Sequence, residues 1–380
     1  MEMTPESLVK PKARKKVYSE TLNVYDAAKA RLRYLKAKYD NLTIAFSGGK
    51  DSLAIISLLE KVNEEDGDTR KINIMFRDEE VINDSIVEFV RGFAESGKYN
   101  FTWFAYPMLV GAYFMGEYSP LVAWDPNREH IRTPPSYAVT TLGVDTSAMD
   151  EFKIASYEKP FLNINGTVCV LLGLRASESI KRLTALTCKE KDNYIGKPIG
   201  LDLVTASPLY DWEEFDIFKL FYEHNTTYCP VYNSQMWKHI NYRVASSLHD
   251  KAIDKLRVMK EMEPEYFEKL KKLFPEVETQ VRYSHAVNYW VKAKGYPPTF
   301  NGVRQYIEDN LHDDFKKMAL DYVDTSERVR LRKEKELLLG GVPIRRVFDQ
   351  VIKGKYWGEM VKLVEPSAKD LDYERYGYED

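Results

Sequence analysis

The chain is 380 residues long, which is enough for a complete α/β core and a second, smaller domain. Its 44% hydrophobic and 30% charged residues are typical of a globular protein, and its formal net charge of −3 excludes a global attraction to nucleic acid or anionic membranes. Since no apolar run is long enough to cross a bilayer and no signal peptide opens the sequence, we expect a cytoplasmic protein without membrane contact.

The N-terminal part of the sequence predicts an arm, a helix and a strand. Residues 1–20 are polar and basic and have no apolar period, which predicts a basic N-terminal arm. Between residues 21 and 39 apolar side chains recur at helical spacing. A β-prone apolar strand is predicted at 42–46, and a second helix at 51–63.

The sequence Ser-Gly-Gly-Lys-Asp-Ser, residues 47–52, joins this strand to the second helix. The N terminus of a helix has unpaired N–H groups and a partial positive charge, so it binds anions. Two adjacent glycines let the backbone approach a phosphate closely, and Ser47, Lys50 and Ser52 add donors. The spacing fits neither a Walker A loop nor a Gly-x-Gly-x-x-Gly dinucleotide loop. We therefore predict a phosphate cradle, and the alternative is a plain turn with a small-residue cap.

A second strand, predicted at 72–76, ends in the charged run Arg-Asp-Glu-Glu. In doubly wound folds an acidic group at this place can hydrogen-bond a ribose hydroxyl. A carboxylate close to phosphates also suits Mg²⁺. Asp78 and Glu80 are the favoured nucleotide-binding candidates, and Glu80 is also a candidate magnesium ligand. The alternative is that these acids only stabilise the dipole of the following helix.

A third strand, at 101–106, continues an alternation of strands and helices that is typical of a doubly wound parallel sheet with helices on both faces. Ligands bind at the carboxyl ends of the strands in such sheets. The irregular segment 107–160 is rich in aromatic residues and proline, and a long loop of this kind is more often functional than accidental. Within it, Trp124, Arg128 and Arg132 are candidates for a lid over the nucleotide, whereas an exposed Trp-Pro turn is the alternative.

A fourth strand is predicted at 166–172, and Arg175 follows it. A guanidinium group at a strand's carboxyl end suits a phosphate or another charged substrate group. Arg182 has a simpler explanation, because Glu178 lies four residues before it and can pair with it on a helix. An amphipathic helix is predicted at 213–222.

The C-terminal region is predicted to be helical and charged, and we place a domain boundary between 21–250 and 251–380. Its stretch 328–362 interleaves basic and aromatic residues, which can follow a nucleic-acid backbone. A solvated helix face is the alternative. The sequence contains three widely spaced cysteines and no Cys-x-x-Cys pair, so we expect neither an iron–sulfur cluster nor a zinc site.

The loop at 47–52 resembles the PP-loop of the ATP pyrophosphatase superfamily. Further similarity runs from residue 20 to residue 285 and points to the branch related to 3′-phosphoadenylylsulfate (PAPS) reductases, closest to its IbrA-type group of prophages. The segments that carry this similarity are 22–28, 124–126, 173–179, 210–212 and 243–246.

The resemblance implies an adenine nucleotide α-hydrolase-like fold that binds ATP with its β,γ-phosphates in the loop and Mg²⁺ bridging them. A substrate oxygen would attack the α-phosphorus, which gives an adenylylated product and pyrophosphate. Lys50, Asp51 and Arg175 would be catalytic, with Asp51 also near the metal and Gly173 near the nucleotide. The loop residues implied to hold pyrophosphate are Ser47, Gly48, Gly49, Lys50, Asp51 and Ser52.

The sequence also departs from this family. PAPS reductases have a catalytic cysteine in a short C-terminal motif, and no cysteine follows Cys229 here, so we do not expect sulfonucleotide reduction by that route. Two functions remain open: adenylation in sulfur or nucleic-acid modification, and nucleotide-dependent regulation without turnover. For the second, the IbrA-type resemblance implies a ParB-like protein partner and a role in prophage or host gene control.

Overall fold

The structure is a computed structural model that describes most of the chain. The predicted arm at 1–20 and the predicted boundary between residues 250 and 251 lie outside the described residues, so both stay predictions. The described residues are 22–114, 117–149, 151–178, 182, 194–196, 202–233, 246–249, 256–283, 293–335, 341–354, 356, 366 and 368–376.

A parallel sheet of five strands forms the centre of the first compact unit, within the described residues. We number all strands in chain order. The sheet contains β1 (Asn41–Ala45), β2 (Asn73–Arg77), β3 (Asn100–Phe104), β8 (Val168–Leu171) and β9 (Leu203–Ala206). Their spatial order is β3-β2-β1-β8-β9, so the chain crosses to the other side of β1 between β3 and β8. Such a switch in strand order opens a crevice at the carboxyl ends of the central strands.

The predicted fold class is confirmed, including the four predicted strands. The sequence analysis missed β9, a strand of four residues whose side chains are mostly buried. Its register is fixed by β8, since Val170 pairs with Thr205 and Leu171 with Ala206. A short apolar run of this kind has no periodicity that distinguishes it from a loop or a helix end.

A capping residue marks the start of the first helix of this unit, and another marks the end of the second. Asn23 caps the first helix by accepting a hydrogen bond from the Asp26 N–H at 2.9 Å, and Gly67 ends the second in the left-handed region. The helices of this unit are α1 (Val24–Lys38), α2 (Lys50–Asp66), α3 (Asp84–Glu95), α4 (Glu151–Glu158), α5 (Glu214–Glu223), α6 (Leu256–Met262) and α7 (Pro264–Leu273).

Helices cover the central sheet on both faces. On one face Phe46, just after β1, packs against Phe89 and Phe93 of α3, with ring centroids 6.3 and 4.8 Å apart. On the other face Ala155 of α4 and Leu162 face side chains of β1, β2 and β8 across a cavity. A short antiparallel pair, β4 (Met108–Val110) with β7 (Leu121–Ala123), lies in the predicted loop segment.

The second compact unit contains residues 111–120 and 274–380, and its described part is largely helical, as predicted. Its buried side chains include Val303, Tyr306, Val347 and Phe348. Its elements are β5 (Tyr113–Phe114), β6 (Glu117–Tyr118), α8 (Glu276–Tyr283), α9 (Phe300–Asn310), α10 (Asp313–Lys335), α11 (Ile344–Ile352) and α12 (Ala368–Tyr376).

Basic residues of the second unit bond to carboxylates of the same unit. Arg330 lies 2.8 Å from Glu374, and Arg345 and Arg346 each lie 3.3 Å from the buried Asp370. These ion pairs do not favour the predicted nucleic-acid contact over the alternative of a solvated helix face. Within the described residues, no helix combines the length and the apolar character needed to cross a bilayer.

Candidate functional site

The predicted phosphate cradle lies where β1 ends and α2 begins. Gly49 is the N-cap of α2, and Gly48 has a φ of +74°, which favours glycine. A Cβ atom at Gly48 would lie 2.8 Å from the Ile86 Cγ2 and 2.9 Å from the Val90 Cγ2 of α3. The loop therefore needs glycine at position 48 both for its turn and for its packing on α3.

The two serines of the loop bond to the loop itself. The Ser47 Oγ accepts a hydrogen bond from the Gly49 N–H at 3.3 Å, and the Ser52 Oγ donates to the Gly49 carbonyl at 3.1 Å. The Ser47 and Ser52 hydroxyls also lie 3.2 Å apart. By contrast, the N–H groups of Gly48 and Asp51 make no hydrogen bond to any described residue. Two backbone donors are thus left at the positive end of α2.

Lys50 places its ammonium group among acceptors beside this helix terminus. The Lys50 Nζ lies 3.2 Å from the Glu214 Oε1 of α5, 3.6 Å from the Asp51 Oδ2, and 5.3 Å from the centre of the Tyr232 ring. Its side chain is only 13% exposed. The ammonium group is therefore held close to the cradle.

Tyr232 contacts the cradle, although the sequence analysis did not identify it. Its hydroxyl accepts a hydrogen bond from the Lys50 N–H at 2.9 Å, across 182 positions of sequence. No described residue accepts the proton of this hydroxyl. Burial raises the pKa of Tyr232 above its usual value, so the phenol is neutral at physiological pH. Nothing in the sequence around residue 232 signals this contact.

Arg175 and Gly173 connect the end of β8 to the first turn of α2. The Arg175 Nε donates to the Asp51 Oδ1 at 2.5 Å, and Arg175 is 5% exposed. Gly173 packs directly on backbone, because a Cβ there would lie 2.6 Å from the Ser52 nitrogen. The structure thus brings these two predicted residues to the loop. The predicted ion pair between Glu178 and Arg182 is also present.

Asp78 and Glu80 lie at the end of β2 but are fully buried. The Asp78 Oδ2 accepts from the Trp103 Nε1 at 3.1 Å, and its other oxygen bonds to Arg132. Burial raises the pKa of Asp78, while the Arg132 guanidinium opposes that shift. Their predicted roles as nucleotide ligands stay predictions, and the observed contacts assign both carboxylates to structural bonds.

The candidate lid residues are the partners of these carboxylates. The Arg128 Nη1 donates to the Glu80 Oε1 at 2.7 Å, the Trp124 N–H to the Glu80 Oε2 at 2.6 Å, and the Trp124 Nε1 to the Asp78 carbonyl at 2.6 Å. Trp124 is 4% exposed, so it is not the exposed turn that was the alternative. Together with Arg132, these residues fasten the segment after β7 onto the end of β2.

No group of three or more potential metal ligands occurs among the described residues. Glu80 already accepts from Arg128 and from two backbone N–H groups, and Asp51 bonds to Arg175. This donor set does not fit a protein-bound magnesium ion. The predicted metal roles of Asp51 and Glu80 stay predictions.

A cavity of about 400 Å³ opens next to the cradle on the α4 face of the sheet. Its volume lies within the range of about 300–1,000 Å³ that is usual for small-molecule sites. Its wall is mostly apolar, and its polar residues include Ser47 of the cradle. The apolar side chains include Ala45, Met75, Leu162, Val170 and Leu203, and the charged ones are Arg77, Glu79 and Glu158.

Like Tyr232, these three charged residues were not assigned to the site from the sequence. Of the acidic run that ends β2, Glu79 lines the cavity, whereas Asp78 and Glu80 were preferred from the sequence. Period-two alternation along β2 places Met75 and Arg77 on the cavity face and could have indicated Arg77. The arrangement can bind an anion at the helix terminus with an attached apolar group in the cavity.

Comparison with known sequences relates most of the first unit to one family. The sequence profile of the phosphoadenosine phosphosulfate reductase domain matches residues 41–243. The uncharacterized protein YbdN of Escherichia coli (strain K12) is 26% identical over 229 residues, which cover 56% of this chain and 55% of YbdN. The chain thus spans about half the length of this curated relative.

Comparison with solved structures finds distant neighbours. Phosphoadenylyl-sulfate (PAPS) reductase from Candida auris, in its phosphate complex, is 13% identical with a TM-score of 0.32, covering 58% of this chain and 94% of that chain. Candida glabrata FMN adenylyltransferase, in complex with FAD and inorganic pyrophosphate, is 12% identical with a TM-score of 0.37, covering 57% and 64%. Similarity at this level says nothing about ligand or reaction.

The close approach of Gly173 to α2 predicts a large effect of Gly173→Ala. The new Cβ would meet backbone atoms of Asp51 and Ser52, which cannot rotate away, so we expect a loss of stability of about 1–3 kcal/mol. Gly92→Ala is the control, because open space surrounds that position inside α3 and alanine favours a helix by up to about 1 kcal/mol. Urea denaturation measures both. Equal stability of the two variants would contradict the backbone contact.

Proposed function

We propose, since the chain belongs to the phosphoadenosine phosphosulfate reductase domain family as its sequence predicted, that it binds ATP and cleaves it at the α-phosphate. An acceptor in sulfur or nucleic-acid metabolism would be adenylylated and pyrophosphate released. The observation that carries the proposal is the α2 terminus: two backbone donors and the Lys50 ammonium lie beside an apolar cavity that shares Ser47 with the loop. The narrower assignment to the IbrA-type group stays a prediction.

The β,γ-phosphates of ATP fit the α2 terminus. The N–H groups of Gly48 and Asp51 and the positive end of the helix dipole favour an anion there. The oxygen of the Tyr232 hydroxyl accepts a hydrogen bond from the Lys50 N–H, and the O–H can donate a hydrogen bond to a phosphate oxygen. Binding would also draw the Lys50 ammonium from Glu214 towards the phosphates.

The adenosine part fits the cavity beside the loop. Its apolar wall suits a flat purine base, and its volume of about 400 Å³ accommodates one nucleoside. Because Ser47 belongs to both the loop and the cavity wall, a base in the cavity and a diphosphate at the helix terminus would leave the α-phosphate near Ser47.

The proposed reaction is a displacement at the α-phosphorus. An anionic oxygen of the acceptor attacks phosphorus, the bond to the oxygen that bridges the α- and β-phosphates breaks, and the electron pair leaves with pyrophosphate. Lys50 and the helix terminus stabilise the charge that develops on this leaving group. Arg175, fixed by Asp51, supplies a preorganised guanidinium group next to the loop.

A nucleotide-binding regulator without turnover is the alternative function. It is favoured by one observation: two cationic groups at the loop, Lys50 and Arg175, already bond to carboxylates and would need to rearrange for catalysis. The ParB-like protein partner, the nucleic-acid contact, the cytoplasmic location and the role in prophage or host gene control belong to these proposals and stay predictions.

The products of ATP cleavage test the proposed function. With ATP, Mg²⁺ and candidate acceptors, we expect AMP-containing product and pyrophosphate, and Lys50→Gln should lower the rate about 10²–10³-fold because it removes the charge beside the leaving group. Lys61→Gln on the same helix is the control, since Lys61 bonds to Glu64 in a surface pair. Release of ADP would contradict the proposal. Tight ATP binding without any product would favour the regulator.

Tyr232→Phe tests the phenol at the cradle. Loss of a hydrogen bond to a charged phosphate should weaken ATP binding about tenfold or more, as measured by calorimetry. Because burial raises the pKa of Tyr232, the phenol stays protonated, so the effect should be the same at pH 7 and pH 9. Tyr228→Phe is the control, as its hydroxyl bonds to Asn233 at 3.0 Å. An equal loss in both variants would contradict the contact.

A further inference from the structure

We infer that the exposed face of α5 binds the basic segment 8–18 of the same chain, which belongs to the predicted N-terminal arm. This face lies outside the cavity beside the loop, and its binding partner is independent of the reaction proposed for the loop. Its distinguishing feature is a pair of exposed aromatic rings on an acidic helix.

Two aromatic side chains of α5 are exposed to solvent. Phe215 and Tyr222 are each 89% exposed, whereas no other large hydrophobic side chain of the described residues is more than 59% exposed. They are seven positions apart, so two helical turns bring them to the same side of α5. The opposite side, with Ile217, Leu220 and Phe221, is buried. Aromatic rings exposed together on one helix face are typical of a surface that binds another segment.

The helix that carries these rings is acidic. Residues 213–223 contain one ammonium group, Lys219, and four carboxylates, those of Glu213, Glu214, Asp216 and Glu223. The Lys219 Nζ lies 3.7 Å from the Glu223 Oε1, and the side chains of Glu214 and Glu223 are half exposed. An aromatic surface with a negative rim fits a segment that combines basic and apolar side chains. A second copy of α5 does not fit, because pairing the helix with itself would bring like charges together.

The basic segment 8–18 has the complementary composition. Its sequence is Leu-Val-Lys-Pro-Lys-Ala-Arg-Lys-Lys-Val-Tyr, which contains five basic residues, no acidic residue and an apolar pair at each end. The basic side chains can pair with the carboxylates of α5. The apolar pairs can cover the rings of Phe215 and Tyr222 and remove them from water.

The first turn of α1, which follows the predicted arm, lies beside α5. The Trp212 Nε1, two residues before α5, donates to the Val24 carbonyl at 3.0 Å. The Tyr25 hydroxyl lies 3.0 Å from the Nε2 of His224, which is the C-cap of α5. A helix of this length spans about 15 Å, and about five extended residues cover that distance. Segment 8–18 is therefore within reach of the whole face.

The short connection favours this segment over a separate protein. Segment 8–18 is joined to the start of α1 through residues 19–23, so its effective concentration beside α5 is in about the millimolar range. Ionic and apolar contacts of modest strength are then enough to occupy the face. A separate basic protein would have to reach the same concentration in solution.

Zero-length cross-linking of the full chain tests the contact. A carbodiimide joins a lysine amine to a carboxylate only where the two groups touch, so we expect links from lysines of segment 8–18 to Glu214 or Glu223. A mixture of isotope-labelled and unlabelled chains distinguishes links within one molecule from links between two. Links within one molecule support the inference, whereas links only between molecules would overturn it in favour of a second copy.

Removal of the rings provides an independent test. Phe215→Ser combined with Tyr222→Ser changes side chains that are almost fully exposed, so the variant should fold like the parent chain. We expect the yield of the links to fall about tenfold and trypsin to cleave within segment 8–18 about tenfold faster, because the burial of both rings is lost. Leu331→Ser on α10 is the matched control, since it removes an exposed apolar side chain elsewhere.

Two results would overturn the inference and leave the proposed function standing. One is a folded chain in which Glu214 and Glu223 form no link to segment 8–18. The other is equal cleavage of this segment by trypsin in the double variant and in Leu331→Ser.

Discussion

The backbone contact between Gly173 and the first turn of α2 is the constraint on which the site depends. It brings the chain after β8 close enough to the loop after β1 for Arg175 to reach Asp51. A second close contact, between Gly48 and α3, fixes the other side of the loop. The loop is thus held between two neighbours by packing that only glycine allows, and its free N–H groups keep one orientation. A rigid, preorganised cradle of this kind binds an anion without a cost of ordering the loop.

Charge compensation is the second organising feature. Asp78 and Glu80, which the sequence favours as ligands, are buried and paired with Arg132 and Arg128, so they hold the segment after β7 in place. Removing either partner would leave a buried charge without its counter-ion, which is why such pairs fix a local structure. The same logic applies at Arg77 and Glu158 in the cavity wall. Among the described residues, the polar groups available to a ligand are therefore mainly backbone donors and one ammonium group.

The sequence predicts much of the fold because periodicity and glycine turns are local signals. The strand before the loop, α2 and the position of the cradle follow from residues 42–63 alone. Which of the acidic side chains 78–80 faces the cavity does not follow from the local sequence, because it depends on how the segment after β7 returns to β2. The places of Tyr232 and Glu158 in the site likewise depend on contacts with residues 182 and 81 positions away in the sequence. The four-residue strand β9 was missed, because its apolar run is too short to show a period.

The most direct test of this account is a crystal structure with an ATP analogue in which a methylene group replaces the oxygen between the α- and β-phosphates. The account predicts the terminal phosphates within hydrogen-bond distance of the Gly48 and Asp51 N–H groups and the adenine in the cavity lined by Met75 and Val170. An analogue bound elsewhere, for example at the opposite end of the sheet, with no phosphate at the α2 terminus, would contradict it.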